Sequence, residues 1–180
     1  MQPHLDKQDR QYRHLLVFDL TSYGSALALI NRYADDQSVK VFEVSPCGSA
    51  ALLLLVAKEI QELQIIQSEA QKLFAPQILK SALISEVHEN LLPTYLSQNK
   101  NSISEHLAVL EFSNLSDALV CSQQVLQSGA ELLDLRVVRT YPINTIVCLT
   151  GSGLGELIKK FSSARTTLIE NLQPAVKEYF

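Results

Sequence analysis

The sequence predicts an α/β fold of the α+β kind: two tandem βαββα repeats with helices packed on a mixed or antiparallel sheet. Three observations carry that expectation. Two stretches align without a gap, HLLVFDLTSYGSAL at residues 14–27 and HLAVLEFSNLSDAL at residues 106–119. Each half then runs through the same order of apolar segments and polar turns, the mark of a duplicated unit. Finally, 180 residues with 47% hydrophobic and 19% charged side chains have the size and composition to bury a core.

The elements follow in order. His14 and His106 each open an apolar run that reads as a strand. A Ser/Thr/Asn cluster comes next, then a helix, whose first-turn N–H groups need such side chains as acceptors. Ser116 is the expected cap in the second copy, with Ser22 or Tyr23 at the boundary in the first. The second strands, VKVFEV at 39–44 and AELLDL at 130–135, each set an acidic residue, Glu43 or Asp134, between apolar ones. Apolar runs at 52–55 and 146–149 give the third strands. Residues 58–74 read as a helix, with Ile60, Leu63, Ile66 and Leu73 near helical spacing. The stretch 78–92, carrying Ile78, Leu79, Ala82, Leu83, Val87 and Leu91, reads as core or interface packing and admits a further helix. The domain reading is a polar tail at 1–13, a first domain at 14–96, a linker at 97–104 and a second domain at 105–180. The strands alternate poorly and are apolar almost throughout, which predicts sheets covered on both faces, by helices or by a partner.

The stretch TGSGLGE at 150–156 tests for a phosphate-binding loop. Its G-x-G-x-G spacing departs from G-x-G-x-x-G, it lacks the Gly-Lys-Ser/Thr ending, and Glu156 would compete with an anion for the helix end. The expectation is a structural corner.

Bulk properties narrow the function classes. A formal net charge of -4, with no Lys/Arg cluster longer than Lys159-Lys160, argues against nucleic acid. The longest apolar run, Ala50 to Ala57, is too short to cross a bilayer, and the polar N-terminus shows no secretory signal. Cys47, Cys121 and Cys148 have no C-x-x-C spacing and read as reduced, buried thiols of a cytoplasmic protein. His14 and His106 are equivalent but have no ligand-spaced neighbours, and His88 has no second His, so no metal is expected. The paired carboxylates, Glu43 with Asp134 and Asp19 with Glu111, read as solvent-facing or as partners of an Arg across an interface. No G-x-S-x-G elbow occurs. Neither an enzymatic activity nor a cofactor is expected.

The second copy resembles the BMC-domain shell proteins of bacterial microcompartments, closest to their tandem, trimer-forming class. The resemblance rests on residues 106–119, on GAELLDLR at 129–136 and on IVCLTG at 146–151, and more weakly on 14–63 of a divergent first copy. It implies a non-enzymatic structural oligomer, a pseudo-hexameric homotrimer with a central pore for small solutes, in the cytoplasm or in a microcompartment, with other shell proteins as further partners. By position it implies a pore or ligand loop at Ser45, Pro46, Cys47, Gly48 and Ser49, with a counterpart at Val138, Arg139, Thr140, Tyr141 and Pro142. Gly48 and the serines would offer backbone N–H groups to a solute, and Arg139 positive potential. An ordinary strand-to-strand turn is the other reading of the same residues. Shell proteins that tile usually carry a lysine late in the first helix. Here that position falls on about Leu126, and near Ala34 or Asp35 in the first copy, which speaks against tiling but not against the ring.

A tandem ferredoxin-like, ACT-type ligand-sensing regulator is the alternative. Such modules bind an amino acid in a Gly- and Pro-bearing loop after the first strand. Here that loop is 113–116 or 21–24, without Pro. The apolar C-terminal tip at 176–180 is expected to pack on a neighbour.

Overall fold

A computed structural model describes residues 12–33, 37–98, 103–139, 142, 144–173 and 177. The chain divides into two compact units. Of the described residues, one takes those up to Val87 together with Asn114–Ser116, Arg139 and Pro142; the other takes those of His88–Ser113, Asp117–Val138 and from Asn144 on.

In the first unit the elements are β1 (His14–Leu20), α1 (Tyr23–Tyr33), β2 (Val39–Cys47), β3 (Ala50–Ala57), α2 (Ile60–Leu73) and β4 (Ile78–Ile84). Every strand pair is antiparallel and the sheet order is β2-β3-β1-β4. Alternation decides the faces. Leu16, Phe18 and Leu20 of β1 and Ala51, Leu53 and Leu55 of β3 pack with Ala26 and Leu29 of α1 and with Leu63, Ile66 and Ala70 of α2. The other face, Leu15, Val17, Leu52, Leu54 and Val56, is buried as well, so these two strands read as unbroken apolar runs. Within α2 the periodic positions Leu63 and Ile66 are buried as expected, whereas Leu73 at the last turn is exposed.

The second unit repeats the plan with β5 (Leu107–Phe112), α4 (Leu115–Gln127), β6 (Glu131–Val138), β7 (Asn144–Thr150), α5 (Leu154–Ile158) and β8 (Arg165–Ile169), in the order β6-β7-β5-β8. The duplication extends to register. Leu15 pairs with Val56 and Ile84, and its equivalent Leu107 with Thr150 and Ile169. The second strand of each sheet is bulged at one place, between Val41 and Glu43 and between Leu132 and Asp134. A bulge re-aims the residues beside it, and here the acidic residue follows it in both copies.

Three expectations need correction. Each repeat gains a fourth strand, making it βαββαβ, while its sheet is antiparallel, one of the two forms expected. The stretch 78–92 holds β4, then the short helix α3 (Leu91–Tyr95). Its apolar residues fit helical spacing and the edge of a sheet equally, and pairing along β1 decides for the strand. Residues 88–96, read as part of the first domain, pack in the second unit, where the His88 N–H donates to Gln123 Oε1 (2.9 Å) and α3 lies on β6. Covering is also uneven: all five residues of β8 are exposed. Among the described residues no helix is long and apolar enough to cross a membrane.

Candidate functional site

β2 and β3 meet in a two-residue hairpin, Gly48-Ser49, with Cys47 opposite Ala50. Gly48 has φ +61°, which the first central position of a type II′ turn requires and a side chain resists. Just behind the turn, the Arg139 Nη2 donates to Glu43 Oε1 (2.6 Å) and the Ser45 hydroxyl donates to the same oxygen (2.7 Å). A longer contact of 3.4 Å links Arg139 Nε to the Ser45 hydroxyl. Of the residues expected in two equivalent loops, Ser45 and Arg139 are thus brought together in the first unit.

That arrangement changes the expected electrostatics. The Glu43 carboxylate is buried and the Arg139 guanidinium is about half-exposed, at 45%. The cation therefore offers little free positive potential, because the pair is neutral overall. Glu43 was missed as a member of the site; its signal in the sequence was the acidic residue between apolar ones in both copies. Cys47 must be withdrawn from any solute-facing role, since its side chain is fully buried at the strand end. Burial pushes its thiol up, Arg139 opposes that, and Glu43 and Asp19 add to it. Gly48 and Ser49 are exposed at the tip. Thr140 and Tyr141 lie outside the described residues.

The glycine-rich stretch is a corner. Gly151 and Gly153 have φ +122° and +74°, and Gly153 immediately precedes α5, which is one turn long. Gly155 has ordinary backbone, where a Cβ would meet only Leu168 Cδ2 at 3.7 Å. Glu156 pairs with Lys159 (2.5 Å) in solvent.

The remaining polar candidates are structural. His14 accepts from the Glu86 N–H at Nδ1 (3.3 Å) and is buried. Among the described residues no group of His, Cys, Asp and Glu is placed to hold a metal ion. All three cysteines are free and buried. Burial pushes Cys121 and Cys148 up to about 12, the reverse of what a nucleophilic thiol needs.

The carboxylates behave unequally. Glu43 meets Arg139 and Asp134 meets Arg136, each within the chain rather than across the expected interface. Glu111 is exposed. Asp19, expected at the surface or facing an Arg, is 1% exposed and caps a helix instead. It accepts from the N–H groups of Leu115 (2.9 Å) and Ser116 (3.0 Å) and from the Ser116 hydroxyl (2.5 Å). Ser116 is therefore a donor within the first turn of α4 and not its cap. In α1 the expected cap holds: the Ser22 hydroxyl accepts from the Ser25 N–H (3.2 Å).

No family model matches the chain, and no curated protein does. Among solved structures, the chain is similar to a microcompartment protein from Desulfitobacterium hafniense DCB, with a TM-score of 0.74 and 14% identity over 92% of this chain and 98% of that one. At that identity the likeness shows a shared fold over nearly the whole of both chains. A putative glycine cleavage system transcriptional repressor (TM-score 0.32, 10% identity, 89% of this chain and 99% of that one) and the acetolactate synthase small subunit from Thermotoga maritima (TM-score 0.30, 15% identity, 89% and 98%) are more distant.

Proposed function

We propose that this protein is a non-enzymatic structural subunit of a microcompartment-like shell, whose duplicated unit assembles as a pseudo-hexameric homotrimer around a central opening for small solutes. The observation that carries the reading is the duplicated βαββαβ sheet, matched in order, register and bulge, on a fold shared end to end with a microcompartment protein. The opening in this reading is at Ser45, Gly48, Ser49 and Arg139. Its rim would be lined by serine hydroxyls, backbone N–H groups and a neutralised Arg–Glu pair, a surface suited to neutral polar solutes.

The ligand-sensing alternative loses ground on one point. In the second repeat the N–H groups after the first strand, where an amino-acid carboxylate would sit, are taken by Asp19. Native mass spectrometry tests the proposal. A particle of three 20.0 kDa chains is expected; a monomer at all concentrations would sink it.

A further inference from the structure

Repeat equivalence assigns a counterpart to each member of the Asp19 contact: Glu111 for Asp19, Tyr23 for Leu115 and Gly24 for Ser116. Among the described residues the counterparts make no such contact. Glu111 is exposed, and no hydrogen bond or ion pair is formed by its side chain among the described residues. The first turn of α1 holds no acidic residue, and the Ser22 hydroxyl meets only Ser25, at its N–H and its hydroxyl. Among the described residues the N–H groups of Tyr23 and Gly24 therefore meet no acceptor.

A second observation, independent of the helix end, points the same way. Leu115 and Leu119 of α4 are 0% exposed, yet their equivalents in α1, Tyr23 and Leu27, are 39% and 46% exposed. One helix has its apolar flank covered, and the other presents the same flank to solvent.

We propose that Glu111 of one copy of this chain seats on the start of α1 in a second copy, accepting from the Tyr23 and Gly24 N–H groups while Tyr23 and Leu27 become buried. The proposal rests on the homotrimer reading and names the contact that would close it. Size is complementary across the repeats. Short Asp19 meets Ser116, and Glu111, longer by one methylene, meets a residue with no side chain. A Cβ at Gly24 would approach only Ser22 Oγ, at 3.9 Å, so the space is open. The charge suits the positive end of a helix dipole. Arg165 faces Glu111 across β5 and β8, but Lys80 faces Asp19 across β1 and β4 in the same way, and Asp19 still caps α4. Acceptor and donor lie on different patches, so the contact is head-to-tail and propagates until a ring closes.

The test uses the whole chain. Glu111→Lys is at an exposed position, and its circular dichroism should match wild type. By native mass spectrometry it should raise the trimer dissociation constant by roughly 10- to 100-fold, the loss of charge-assisted hydrogen bonds at a partly dry contact. In parallel, the double variant Gly24→Cys/Glu111→Cys, treated with a short bis-maleimide, should give a covalent ladder ending at three chains; each single variant should not. A wild-type trimer that survives Glu111→Lys intact, with the double variant staying at monomer size, overturns this contact and leaves the homotrimer standing. A wild-type monomer overturns both.

Discussion

At the residue scale, single backbone and charge positions set the measurable effects. Gly153→Ala forces a side chain into the left-handed region and should cost about 1–2 kcal/mol, whereas Gly155→Ala should be close to neutral. Paired thermal melts check this: the first variant should fall by roughly 2–4 °C per kcal/mol and the second should barely move. Arg139→Ala removes the ion pair and leaves the Glu43 carboxylate buried, with the Ser45 hydroxyl still donating to it. Because the guanidinium is half-exposed, the loss should be modest, about 1–2 kcal/mol, and Glu43→Gln in that background should restore most of it. A double-mutant cycle in urea measures both. For Cys121 and Cys148 the folded state holds the neutral thiol, with ionisation raised from 9.0 to about 12 by burial. The folded form binds the proton more tightly, so their contribution is complete below about 9 and is lost as pH climbs toward 12. Urea midpoints should therefore decline across that window, and Cys121→Ala should flatten the decline.

At the scale of the element, the start of α4 is the position to probe. Its acceptor is supplied by a strand almost a hundred residues away in sequence, Asp19, and not by the serine beside it. Asp19→Ala strands two N–H groups and a hydroxyl in a buried place and should cost about 2–4 kcal/mol; Asp19→Asn, which keeps one accepting oxygen, should cost less. Hydrogen exchange at the first turn of α4 should speed up more than in α1, whose Ser22 cap is local. The first two helices and first three strands of each repeat were legible from apolar runs set between polar turns and, in α2, from helical spacing. The fourth strand was not: Leu79 and Leu83 are compatible with either period, and β8, exposed along its length, has no buried face to mark it.

At the scale of the whole molecule, the number of copies and the edge chemistry are what matter. Leu126, about where the resemblance to tiling shell proteins would set a lysine, is 9% exposed and buried on α4. Leu126→Lys would bury an ammonium, so it should lower stability by about 2–4 kcal/mol rather than produce sheets. Electron microscopy of that variant should show discrete particles or aggregate and no extended lattice. The equivalent positions near Ala34 and Asp35, and the C-terminal tip at 176–180 apart from Lys177, lie outside the described residues.

The sequence by itself determined the duplication, the first five elements of each repeat and the glycine corner, because these depend on local pattern and on backbone angles that few residues tolerate. Tertiary structure alone decided which acid is buried. Asp19 and Glu111 are equivalent in sequence, yet one caps a helix and the other faces solvent. That outcome depends on which distant N–H groups each strand end meets, and local composition carries no record of such a meeting.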